Sequence, residues 1–204
     1  MSLGLDLFEH PFSCVVNGPS GCGKTEWILK LIHSDIIQNI PDKIVWCYGR
    51  RQDVYDEIDK RGDVELHEGL NGIDKYRNAL LILDDLMMDT DKHVMDLFVR
   101  GRHRDLSVIF VTHNIFYRTP ALRTIRLNTN YLVLFKTPCD TSQIIALGRQ
   151  MFPGQSKHWE EAYKDATKRI YGYLLIYNRP NTEDIYRLRT QIFPNEEQIV
   201  YVPK

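Results

Sequence analysis

A doubly wound α/β domain, with a mostly parallel central sheet flanked by helices, is the fold this sequence predicts, on two observations. Short apolar, β-rich runs recur along the chain: "FSCVVNG", "KIVWCYG", "NALLILDD", "LSVIFVTHN", "NYLVLFK" and "YGYLLIYN". Most are continuous rather than alternating, as in strands covered on both faces of a parallel sheet. Between them lie segments with the period of an amphipathic helix.

The first helical segment, "TEWILKLIHSDII", sets Trp27, Ile28, Leu31, Ile32 and Ile36 on one stripe. "DKHVMDLFVRGR" repeats the period with Val94, Leu97 and Phe98, and "TSQIIALGRQMF" and "HWEEAYKDATKRI" follow later. A chain of 204 residues can bury one good-sized core, and it shows no repeat, low-complexity tract or linker. It reads as a single domain over 1–204. Within it, residues from about 154 to 204 form a C-terminal extension, a helix plus a strand or hairpin packed on the edge of the core.

Composition narrows the class. Hydrophobic residues at 43% and charged residues at 26% are ordinary for a soluble globular chain. No apolar stretch approaches a membrane span, and "MSLGLDLFEH" lacks the pattern of a signal peptide. Cys14, Cys22, Cys47 and Cys139 have no metal-type spacing, which points to a soluble, reduced, intracellular protein with no membrane partner. The net charge of −1 hides an asymmetry: residues 1–99 carry 10 Lys/Arg against 18 Asp/Glu, residues 100–204 carry 16 against 9. From Arg100 to Arg126 there are six arginines, no lysine and only Asp105 opposing them. Such a split suits one surface that welcomes a polyanion, although a solvated Arg-rich face would look the same.

The chemistry starts at "GPSGCGKT", which satisfies G-x-x-x-x-G-K-[ST] with Gly18, Gly23, Lys24 and Thr25. The turn from Gly18 through Pro19, Ser20, Gly21, Cys22 and Gly23 lets successive N–H groups converge on an anion, and the helix that follows aims its dipole at the same point. Lys24 supplies a point charge for the β- and γ-phosphates, and the Thr25 hydroxyl is a ligand for Mg2+. An apolar strand before and an amphipathic helix after are the context this motif requires. The expected ligand is ATP with magnesium.

A second group belongs near the metal, and "ALLILDDLM" offers it where a strand leaves the core. Asp84 is placed to hold the magnesium through water, and Asp85 to orient or deprotonate the attacking water. Asp84 lies 59 residues beyond Thr25, with "KIVWCYGR" between them as a strand of its own. That leaves room for an extra strand between the loop strand and the acidic strand. The expectation is therefore a P-loop NTPase of the additional-strand, RecA-like kind. "LSVIFVTHN" ends in Thr112, His113 and Asn114, of which His113 is the candidate for sensing the γ-phosphate, Asn114 serving more simply as a turn residue. Ahead of it, "RGRHRD" carries Arg102 and Arg104, candidates for an arginine finger offered to a neighbouring subunit's triphosphate. Cations also suit a helix C-terminus without any such role. On a continuous helix Arg100 and Arg104 share a face at i,i+4, and Arg102 points elsewhere.

Taken together, "FSCVVNGPSGCGKT", "LLILDDL", "GRHRDLSVIFVTHNIFYRTPALRTIRLNTNYLVLFK" and "YGYLLIYNRP…RLRTQIFP" resemble the viral DNA-packaging ATPases of the FtsK–HerA superfamily. Within that group the likeness is to the short poxvirus-type enzymes also found in Maverick/Polinton and adintovirus-like elements, over Phe12 to Pro203. The resemblance implies an ATP-driven motor that threads double-stranded DNA into a preformed capsid. It implies a homo-oligomeric ring, a pentamer or hexamer, docked on a viral capsid or portal protein in the nucleus or cytoplasm of a host. Lys24 and Thr25 match its Walker A pair, Asp84 its Walker B aspartate and Asp85 its catalytic carboxylate. His113 stands where members often carry glutamine, and Arg102 or Arg104 at the finger. Two departures stand out: aspartate at 85 for the usual glutamate, and histidine at 113. With no sizeable extra domain, cutting the genome is not expected of this polypeptide. The rival readings are a small P-loop nucleoside or nucleotide kinase, and a module that binds ATP without turnover.

Overall fold

The computed structural model describes residues 8–84, 86, 91–114 and 120–203. The chain opens with β1 (Phe8–Glu9), β2 (Ser13–Asn17) and α1 (Lys24–Ile32), then β3 (Ile37–Gln38) and β4 (Lys43–Tyr48). There follow α2 (Asp53–Arg61), β5 (Glu65–Glu68), β6 (Ala79–Asp84), α3 (Asp91–Arg100) and β7 (Leu106–Thr112). The remainder is α4 (Pro120–Leu127), β8 (Tyr131–Phe135), α5 (Thr141–Met151), α6 (Ser156–Ala166), β9 (Tyr173–Tyr177), β10 (Leu188–Thr190) and β11 (Ile199–Tyr201).

Nine strands form one sheet in the order β11-β10-β9-β8-β2-β7-β6-β4-β5, and β1 and β3 pair separately. From β8 to β5 every pairing is parallel; β9, β10 and β11 join antiparallel at the other edge. This is the α/β fold, with a mostly parallel central sheet flanked by helices, that the sequence predicts.

Both faces of the sheet are buried. Along β6, Leu80 and Ile82 join Trp27, Ile28 and Leu31 of α1 and Tyr55 and Ile58 of α2 in one core. Leu81 and Leu83 join Leu97 and Phe98 of α3, Leu122 and Ile125 of α4, Leu147 of α5 and Trp159 of α6 in the other. Period-two alternation within continuous apolar runs feeds both layers, so the runs show no polar face. The winding has a chiral cause. The chain steps one way across the sheet through α1 and α2, then returns from β5 towards β8 through α3 and α4. Right-handed crossovers put helices for opposite steps on opposite faces.

An extra strand does stand between the loop strand and the acidic strand, and it is β7. The strand at Lys43–Tyr48 lies on the outer side of β6 instead. Two helices, α1 and α6, end earlier than their apolar periods. The apolar stripe of α1 runs on in sequence to Ile36, but the helix closes at His33, whose ring nitrogens engage the Leu29 carbonyl at 2.7 Å and Asp63 at 2.6 Å. Ile37 then pairs with Phe8 as strand, covering the same core from outside. After α3 the chain tightens to a 3-10 turn over Gly101–Arg104, closed by Asp105 in the left-handed region. α6 closes at Ala166, which leaves Ile170 outside its stripe and 85% exposed.

Candidate active site

In the parallel part of the sheet all strands point the same way, so β2, β4, β6 and β7 deliver their C-terminal residues to one edge. Asn17 is opposite Thr112, and Asp84 is opposite both Val111 and Tyr48. Open α/β sheets bind ligands outside that edge, and the glycine-rich loop, Asp84 and His113 converge there.

The turn after β2 begins with Gly18, whose N–H donates to the Thr112 carbonyl at 3.2 Å and so ties the loop to β7. A Cβ on Gly18 would stand 2.7 Å from both the Cys22 sulfur and Phe135 Cβ. No larger residue fits without displacing β8. Pro19 is half-buried, Ser20 and Gly21 are exposed, and the Pro19 carbonyl accepts from the Cys22 N–H at 3.4 Å. Burial pushes the Cys22 thiol up, against the opposing pull of Lys24 beside it, so the loop cysteine stays a neutral thiol. Gly23, at φ 98°, occupies the left-handed region and directs the chain into α1.

No side chain caps α1. The first N–H used within the helix is that of Trp27, donated to the Gly23 carbonyl at 2.9 Å. The N–H groups ahead of it in the first turn have no intrahelical acceptor and point, with the positive end of the dipole, into the loop. The turn is therefore an anion cradle. Thr25 is half-buried in that first turn.

Lys24 is buried, 8% exposed, with its ammonium folded over the loop. It donates to the Gly18 carbonyl at 2.7 Å and to the Pro19 carbonyl at 2.9 Å, and stands 3.4 Å from His113 Nδ1. The structure thus brings the loop lysine and the tip of β7 together, as the sensor assignment of His113 requires. A buried ammonium needs such partners.

Asp84 shares the α1 face of β6, since it follows Leu80 and Ile82 at the strand's period of two. Its carboxylate accepts from the Tyr55 hydroxyl at 3.0 Å and the Trp46 indole N–H at 3.3 Å. Tyr55 in turn stacks on Tyr48, ring centroids 4.9 Å apart. Sequence reading missed Trp46 and Tyr55, which come from a neighbouring strand and from α2. Asp85 lies outside the described residues. Thr25 and Asp84 offer hard oxygen donors, and among the described residues no group of three or more His, Cys, Asp or Glu side chains is placed to hold an ion. A hydroxyl and one carboxylate, completed by phosphate and water oxygens, is a donor set for magnesium rather than for zinc.

Arg102 and Arg104 are at the other end of the sheet, because their turn precedes β7 whereas the loop follows β2. The seven residues of β7 separate them from the site by about 20 Å. The two side chains differ. Arg104 is 16% exposed and reaches Asp74 at 3.1 Å and Asp96 at 3.7 Å. Arg102 is exposed, and among the described residues no carboxylate lies within ion-pair distance of it. Arg100 pairs with Asp96 at 3.3 Å, so Arg100 and Arg104 do meet on one side, through a shared aspartate.

A cavity of about 590 Å³ runs from Gly23 and Thr25 outward to Ile170, Tyr171, Tyr173 and Phe193. The C-terminal extension therefore forms one wall of the candidate site.

No protein-family model and no curated protein matches the chain. Two solved structures of the genome packaging NTPase B204 from Sulfolobus turreted icosahedral virus 2 share its fold. The one in complex with sulfate matches at TM-score 0.52 and 15% identity, the one in complex with ATP-gammaS at 0.55 and 14%. Each match covers 84% of this chain and 94% of the other. At this identity the likeness is one of fold, that of a P-loop NTPase. Among the described residues no helix is long and apolar enough to cross a membrane.

Proposed function

We propose that this protein is an ATPase that drives double-stranded DNA into a viral capsid, working as a homo-oligomeric ring. The observation that carries the reading is the meeting of Lys24, His113 and the uncapped start of α1 at one sheet edge, with Asp84 on the same face. The fold shared with a genome packaging NTPase supports the choice of motor over other P-loop enzymes. So does the position of β7, between the loop strand and the acidic strand. The sequence likeness to the short poxvirus-type and Maverick/Polinton enzymes points the same way.

In this reading the N–H groups of Gly21, Gly23, Lys24 and Thr25 hold the β- and γ-phosphates, and Lys24 swings from the Gly18 and Pro19 carbonyls onto them. Magnesium, held by Thr25 and Asp84, supplies neutralisation of the phosphate charge that develops during cleavage. Asp85 orients the attacking water, and His113 reports the loss of the γ-phosphate to β7. Arg102 belongs to the next subunit's site. Arg100, Arg123 and the exposed side of the arginine-rich segment face DNA, through phosphates and without sequence preference.

The test is phosphate release with and without duplex DNA. Turnover should rise several-fold with DNA of any sequence, and the stimulation should fall steeply with added salt. A kinase would ignore DNA and consume ATP only with its acceptor. A binding module would release no phosphate. Either result ends the motor reading.

Trp46 and Tyr55 act as positioning residues for Asp84, both donating to the same carboxylate oxygen. Tyr55→Phe should raise the magnesium concentration needed for half-maximal hydrolysis by about tenfold or more, a typical cost of losing such a partner. A magnesium titration of the variant checks this. An unchanged midpoint would remove Tyr55 from the site.

A further inference from the structure

We infer that Tyr171, in the turn between α6 and β9, is a stacking platform for the base of the bound nucleotide. The inference rests on the triphosphate assignment above and adds the subsite for the rest of the ligand.

Direction comes first. The hydrolytic end of the site faces β7 and β6, where His113 and Asp84 stand, so the γ-phosphate lies on that side of the loop. The nucleoside must then leave on the opposite side, towards β8 and β9. The 590 Å³ cavity opens there, with Gly23 at one end and Tyr171 against it. Tyr171 Cδ1 lies 3.1 Å from where a Gly23 Cβ would be, so the ring borders the phosphate loop directly.

The turn is built at a conformational cost. Tyr171 has φ 61°, in the left-handed region that a bulky residue rarely adopts. Glycine would fit that backbone without strain, yet the position holds a tyrosine, 67% exposed as a residue. Ile170 beside it is 85% exposed, giving two large apolar side chains in succession at the mouth of a polar site. Packing does not require either of them there, and strain of this kind collects at ligand clamps.

The floor of the cavity is aromatic as well. Trp27 packs edge-on against Tyr173 and Phe193, each at 5.7 Å, and the Tyr173 hydroxyl accepts from the Ile192 N–H at 3.1 Å. Arg169 donates to Gln191 at 2.8 Å, joining the Tyr171 turn to the segment that carries Phe193. A planar apolar group entering between this floor and the exposed ring meets π-faces, and every base has one. The ligand class is thus a nucleobase held by its face, with little demand on its edge.

The experiment compares binding of ATPγS and of inorganic tripolyphosphate, both with magnesium, in the parent protein, Tyr171→Gly and Tyr171→Phe. Glycine relieves the strain and keeps the fold, and phenylalanine keeps the face. Tyr171→Gly should bind ATPγS about tenfold or more weakly while its tripolyphosphate affinity stays unchanged, and Tyr171→Phe should match the parent for both. Equal ATPγS affinity in parent and Tyr171→Gly overturns the platform and leaves the phosphate loop standing. An equal loss for both ligands places the effect of Tyr171 on the loop and also overturns it. If the parent binds neither ligand, the triphosphate assignment falls and the platform with it.

Discussion

Lys24→Ala protein is expected to hydrolyse ATP slower by a factor on the order of 10²–10³ or more, the scale for removing one preorganised donor from a developing anionic charge. The structure explains why nothing nearby can substitute. Lys24 is only 8% exposed, and its ammonium already engages the Gly18 and Pro19 carbonyls of the loop. His113 Nδ1, 3.4 Å away, lies on a strand tip rather than on a flexible stem. Lys24→Arg should not rescue the activity. A guanidinium is planar and larger, and its spread charge in a fixed fork does not replace a compact point charge in so tight a turn. Phosphate release under saturating ATP and magnesium checks both variants, with the thermal midpoint as a control for folding. Parental rates from Lys24→Ala would move the chemistry to some other place in the molecule.

The loop was legible because its function is written in consecutive residues. Gly23 answers a positive φ, a local property that a sequence can state, whereas the steric limit at Gly18 comes both from Cys22 in the same turn and from Phe135 of β8. The buried strands were legible for a similar reason, since continuous apolar runs bounded by turns have few other destinations. Other elements carried weak signals. β5, Glu65–Glu68, is a polar edge strand of partial burial, and α2 buries only Tyr55 and Ile58, with Val54 partly buried beside them. Neither offers the apolar density of the core elements.

What the sequence hid was placement across the fold. Asp84 is steadied by Trp46 and Tyr55, 38 and 29 residues away. Arg104 is claimed by Asp74, 30 residues earlier, so a cation that looked available is a bridge between the 3-10 turn and the segment before β6. Ile170 falls on an apolar helical period in the sequence yet sits on a turn, because α6 ends at Ala166 and Thr167 turns its hydroxyl back to the Tyr163 carbonyl at 2.7 Å. Periodicity does not register where a helix stops when no glycine or proline marks the end.

Arg102→Ala is expected to lower ATP hydrolysis by about 10³-fold, the lower range for loss of an arginine finger, and to do so without weakening nucleotide binding comparably. The distance of about 20 Å along β7 prevents Arg102 from serving the site of its own subunit. Its effect must then pass to a neighbour. Mixing provides the decisive form: Arg102→Ala subunits keep Lys24, and Lys24→Ala subunits keep Arg102, so an interface pairing the two is complete. In an equal, random mixture about a quarter of the interfaces in a closed ring have that arrangement, and activity should recover to a comparable fraction. Arg104→Ala behaves differently. Its guanidinium joins Asp74 and Asp96 at 16% exposure, so its loss should lower the thermal midpoint, and mixing with Lys24→Ala should restore less. Recovery with Arg104→Ala alone would exchange the roles of the two arginines. No recovery with either would leave each site to work within its own subunit and would count against catalysis across a ring interface.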